Sequence, residues 1–120
     1  MYLAGCASVG ILNNTHLGGY LIKDQTLYSR IDEDFPSVWH TCIYVLNAKN
    51  FNTQYKREKK MIYGYKDGIE VFIKLSNPII NTTDIKIKVL NNGKVDLEQA
   101  SHILNAIHRE LYNPSRIFED

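Results

Sequence analysis

Cysteine is scarce in this 120-residue chain, with only Cys6 and Cys42. Two thiols cannot build a disulfide framework, so a cross-linked mini-scaffold is excluded. Both lie in apolar runs, which suggests buried free thiols in a reducing, cytoplasmic setting. Proline occurs three times and glycine seven times. Neither clusters, so there is no Pro/Gly-rich linker and no second domain to connect. An excess of one charge sign is also missing. Fourteen Lys and Arg against thirteen Asp and Glu give a net charge of +1. That excludes a strongly basic nucleic-acid protein and an acidic tail, so any charge-driven binding must come from local clustering. No apolar run approaches the roughly 20 residues that span a bilayer.

Chemical motifs are equally sparse. There is no glycine-rich phosphate loop and no serine elbow. His16, His40, His102 and His108 show no paired metal-ligand spacing, and no metal or cofactor is expected. His102 and His108 fall on the polar side of a predicted helix, where solvation is the default. His40 and Cys42 share strand parity. That makes a Cys–His nucleophile conceivable, and packing on one strand is the plainer reading. Leu3-Ala4-Gly5-Cys6 matches the tetrapeptide that precedes lipid attachment in bacterial lipoproteins. A working signal also needs a charged region and an apolar region before it. Only Met1 and Tyr2 precede it, so the segment is read as part of a first strand, Tyr2 to Leu12.

What is present fits one α+β domain: a curved antiparallel sheet of five or six strands with one C-terminal amphipathic helix packed on one face. Gly19 to Tyr28 reads as a strand or a short helix. Ile31 to Pro36 is an acidic loop, with Pro36 suited to a strand entrance. Ser37 to Leu46, rich in β-branched and aromatic residues, is expected as a strand. Asn47 to Lys60 reads as a solvated loop or frayed helical turn. Asp67-Gly68 supplies the positive φ angles of a type I′ turn between Met61–Lys66 and Ile69–Leu75. That turn pairs Ile62 with Ile73 and Gly64 with Val71 on the core face, and Tyr63 with Phe72 and Tyr65 with Glu70 on the other. Asn77-Pro78 closes the second strand. Ile85 to Leu90 alternates, with Lys86 and Lys88 outward, and Asn92-Gly93 is a second turn. Asp96 caps a helix whose Leu97, Ala100, Leu104, Ile107 and Leu111 recur at spacings of three and four. Pro114 stops it.

The outer sheet face carries the functional signal. Tyr63, Tyr65, Phe72 and Lys74 share it, and Lys86 and Lys88 join if their strand pairs alongside. Interleaved aromatics and lysines can stack on bases and neutralise phosphates. Lys56 and Arg57 begin a cationic run through Lys60 that can add phosphate contacts. The competing readings are that another chain or the Gly19–Tyr28 segment covers this face, or that it is simply exposed.

The chain order of strand, turn, an ambiguous segment, acidic residues with Phe35-Pro36, strand, a later strand closing on Asn92-Gly93-Lys94-Val95, and helix resembles one half-repeat of the TATA-box-binding protein family. There, an acidic stretch with Phe-Pro introduces the second strand and a Gly-Lys turn joins the later strands before the helix. The resemblance implies a sheet gripping a helix, and DNA binding. That family joins two halves into a saddle, whereas this chain has one.

The expected function is therefore a non-enzymatic binding module whose outer sheet face takes nucleic acid. The alternative is a small viral or phage-type inhibitor that sequesters a host protein or a nucleotide signal. A homodimer through the aromatic face or the adjacent strand edge is expected, because one helix can cover only one side of the sheet.

Overall fold

A computed structural model of the chain describes residues 21–112. The expected first strand, with Leu3–Cys6 and His16, and the segment after Pro114 lie outside the described residues. In chain order the elements are β1 (Leu21–Lys23), β2 (Thr26–Ile31), α1 (Phe35–Ala48), β3 (Asn52–Lys56), a 3-10 turn (Arg57–Lys59), β4 (Met61–Lys66), β5 (Ile69–Ile79), β6 (Thr82–Asn91), β7 (Lys94–Val95) and α2 (Leu97–Tyr112). The sheet order is β1-β2-β6-β5-β4-β3, with β7 added to β6, and every pairing is antiparallel. The α+β architecture is thus as expected, with seven strands among the described residues.

Tight turns set the register. Asp67 and Gly68 have φ of 49° and 84°, and Asn92 and Gly93 have 52° and 84°, the paired positive values that match strand twist. The two turns brace each other, because Asn92 N–H donates to Gly68 O at 2.9 Å. The first fixes Ile62 opposite Ile73 and Tyr63 opposite Phe72, as the two-residue loop requires. β6 then sets Ile87 opposite Ile73 and Lys86 opposite Lys74.

Alternation along these strands sends Val71, Ile73, Leu75, Ile85, Ile87 and Val89 to one face, all buried. Both helices cover that face. On α2, Ala100, Ile103, Leu104 and Ile107 are buried, the stripe expected from their spacing. The Gln99 N–H donates to Asp96 Oδ1 at 3.0 Å and caps the helix. That bond, with one from the Asn91 side chain, holds the Asp96 carboxyl below its ordinary range.

Several expectations need correction. Ser37–Leu46 is helix, not strand. Its buried residues Val38, Trp39, Cys42, Val45 and Leu46 recur as i, i+1, i+4, i+7 and i+8, a helical stripe. Residue type favours a strand there, but this period and the start signal prevail. Asp34 caps the helix by accepting from Ser37 N–H at 3.0 Å. Pro36 sits in the first turn, where its missing N–H costs nothing. It does not introduce a strand. Asn47–Lys60 is not all loop, since Asn52–Lys56 forms edge strand β3. Its polar composition hid it, as is common for strands with one free edge. Asn77-Pro78 does not end β5, which runs to Ile79 through a register shift after Ser76. Gly19–Tyr28 resolves, over its described part, into strand on either side of an Asp24–Gln25 turn.

Two side-chain assignments also change. His40 and Cys42 lie two apart on a helix and diverge. His40 is exposed, Cys42 is buried, and burial pushes its thiol far above the ordinary range. No thiolate–imidazole pair forms. His108 is not solvated: it is 3% exposed, and neither ring nitrogen has a hydrogen-bond partner. Its ring meets Tyr112 edge-on at 6.2 Å. Desolvation lowers its pKa, so it is buried as the neutral ring.

Leu104→Ala should destabilise the domain by about 2–5 kcal/mol in urea unfolding, the cost of a core cavity. His108 generates a pH dependence. Its folded pKa lies below its unfolded value of about 6.5. The unfolded chain therefore takes up a proton that the folded one refuses, and stability falls as pH drops below about 6.5. Urea midpoints compared at pH 7 and pH 5 should show this loss in the wild type and a smaller one in His108→Phe.

Candidate functional site

Both helices pack on the same side, so among the described residues the other face of the sheet has no helix over it. The segment suspected of covering it supplies β1 and β2 within the sheet instead. Among the described residues, a groove of about 630 Å³ lies on this outer face. Six of the eight residues expected at a binding site line it: Lys56, Tyr63, Phe72, Lys74, Lys86 and Lys88. They converge because outward parity on β3, β4, β5 and β6 falls in matching register.

The other two expected residues lie elsewhere. Tyr65, 45% exposed, is on the same face but opposite Glu70, one row outside the groove. Arg57 turns away from it. Its guanidinium carbon sits 5.3 Å from the Phe35 ring centre and 5.7 Å from that of Trp39. This stacking holds the arginine against the first turns of α1. Lys59, within the expected cationic run, also lines the groove, and sequence reasoning missed Tyr28 and Met61, which line it too. Tyr28 was legible in principle, since Leu27 inward implies Tyr28 outward once β2 is known to be a strand.

The electrostatics are one-sided. Lys74 stands directly opposite Lys86, with Lys56, Lys59 and Lys88 around them. Among the described residues, no acidic side chain lines the groove. Like charges directly opposite on a sheet face are unfavourable. Lys86 leans over Tyr28, its amine 5.8 Å from the ring centre. None of Lys56, Lys74, Lys86 and Lys88 has an ion pair among the described residues. The ion pair that does form on this face is Arg30 with Asp84, bidentate at 2.7 and 3.0 Å. The rings form a floor: Tyr63 and Phe72 are 5.2 Å apart and tilted by 54°, with Phe72 39% exposed. The Tyr63 hydroxyl donates to Glu70 Oε2 at 2.8 Å. That bond raises the Tyr63 pKa and fixes the ring.

A second, smaller hollow of about 350 Å³ lies on the helix side, between His40, Glu33 and Glu110. No group of side chains suited to hold a metal ion occurs among the described residues.

The fold and groove define an α+β domain with a lysine-lined sheet face that no helix covers among the described residues. The chain belongs to the family described as "Protein of unknown function (DUF3568)", whose model matches residues 1–110. No curated protein matches it. Among solved structures it is similar to a conserved protein of unknown function from Enterococcus faecalis. The identity is 12%, the alignment covers 80% of this chain and 77% of that one, and the TM-score is 0.49. No helix among the described residues is long and apolar enough to cross a membrane.

The opposed lysines make a stability prediction. Lys74→Glu converts a like-charged pair with Lys86 into an opposite-charged one. It should raise stability by roughly 0.2–1 kcal/mol, read from urea midpoints at low salt. Loss of stability in this variant would show that the amines do not repel.

Proposed function

We propose that this domain is a non-enzymatic binding module and that its outer sheet face takes nucleic acid. The observation that carries the reading is the acid-free groove in which Lys74 and Lys86 face each other beside the rings of Tyr63 and Phe72. An unfavourable cationic pair becomes favourable when phosphate sits between the amines. The rings add a surface on which any base can stack. With a net charge of only +1, any such attraction must come from local clustering of the kind this face shows. Divergence of His40 and Cys42 supports a binding role over a hydrolytic one.

A free nucleotide, sequestered as a signal, is the second reading. The groove volume favours it, since it lies within the range of small-molecule sites.

Self-association through the groove would set lysines of two copies against each other across a two-fold axis. A homodimer is better served by the edge of β3, unpaired among the described residues, where Tyr55 is exposed. Sedimentation equilibrium at micromolar concentration distinguishes a dimer from a 13.8 kDa monomer.

The direct test is binding to generic DNA and RNA from low to physiological salt. Affinity should fall with salt, and Lys74→Glu should weaken it at every salt concentration. Absence of binding at low ionic strength would remove nucleic acid as the partner.

A further inference from the structure

Within that nucleic-acid reading, we infer that the ligand is a single strand laid across the sheet, its backbone on one cross-strand row and its bases on the next. The register defines the two rows. In the first, Lys56 faces Met61, Met61 faces Lys74, Lys74 faces Lys86 and Lys86 faces Tyr28. It places three amines in line over five strands. In the second, Gln54 faces Tyr63, Tyr63 faces Phe72 and Phe72 faces Lys88. It carries the rings.

Same-face rows are two residues apart along a strand, or about 6.6 Å, and neighbouring strands are about 4.8 Å apart. The amine row therefore runs about 19 Å from β3 to β2. A nucleotide sets its base one sugar away from its phosphate, an offset of the same order as the row separation. A strand running along the amine row would thus bring its bases over Phe72 and Tyr63.

The rows on either side border this track. One holds Glu70 between Tyr65 and Leu90. The other holds Asp84 between Arg30 and Ser76. Each flanking row presents a carboxylate, and the two central rows present none. Phosphate is accordingly favoured along the track and disfavoured beyond it on the Glu70 side, whereas Asp84, paired with Arg30, makes the other border neutral. A duplex keeps its bases stacked inside, so it can use the amines but not the rings. The 2′-hydroxyl is not discriminated by this pattern, and DNA and RNA single strands share the chemistry.

The experiment is fluorescence anisotropy of the full chain with labelled hexamers of dT and of rU, a mononucleotide, and a 20-base-pair duplex. The hexamers should bind more tightly than the mononucleotide and, per phosphate, more tightly than the duplex. Three amines predict a slope of log K against log salt of about −2, at about −0.7 per phosphate neutralised on a single strand. Lys74→Gln should reduce that slope by about 0.7. Phe72→Ala should weaken the hexamers by about 5- to 150-fold without changing the slope or the duplex affinity. Phe72→Trp should restore hexamer binding, which separates stacking from misfolding. An unaffected Phe72→Ala, or a duplex bound as well as the hexamers, would overturn the two-row arrangement and leave the nucleic-acid reading standing. A mononucleotide bound as tightly as the hexamers would overturn it in favour of the sequestered nucleotide. Failure of every probe at low salt would defeat both the arrangement and the reading beneath it.

Discussion

The constraint on which the rest of the structure depends is the phase of alternation in the β4–β5–β6 meander. Two-residue turns fix the pairing, and strands have a period of two. The Asp67-Gly68 turn fixes β4 against β5, and the β5–β6 ladder carries the same phase from Ile69 to Ser76, ahead of the register shift. The isoleucines and valines of these strands go beneath the helices, and the lysines, Tyr63 and Phe72 go to the opposite side. A slip of one residue would bury Lys74 and Lys86 and expose Ile73 and Ile87. The large difference in burial cost between those outcomes is what holds the cationic face in place.

The helices set what that face can be. α1 connects β2 to β3, near opposite edges of the sheet, and so must cross its inner surface. α2 then packs beside α1 on the same side. Concentrating both helices on one layer closes the core with Trp39, Leu46, Leu104 and Ile107. Among the described residues, it leaves the other layer of the sheet without a helix. Lys74 and Lys86 are cross-strand neighbours of like charge, an arrangement that an anionic partner would favour.

The meander and α2 were legible because their signals are local. Asp67-Gly68 dictates turn geometry over two residues, and Asp96 with the Leu97–Leu111 stripe dictates a capped helix. The placement of the candidate residues on β4, β5 and β6 followed from that register. α1 was misread because residue type and period disagree there. Val38, Trp39, Thr41 and Ile43 suit a strand, while the spacing of the buried residues and the Asp34 cap suit a helix. β3 was misread because an edge strand shows little inward apolar alternation. Arg57 was assigned to the face by its neighbours in sequence, yet the 3-10 turn after β3 carries it onto Phe35 and Trp39. Burial of His108 depends on how α2 sits against its neighbours, which no local pattern encodes.

The most direct measurement is a backbone amide NMR titration of the labelled chain with an unlabelled single-stranded hexamer. Binding on the outer face predicts shift changes centred on Lys74, Lys86, Phe72 and Tyr63 and fading toward α1 and α2. Changes centred on the helices, around His40 and Glu110, or no changes at low salt, would contradict a binding function for this face.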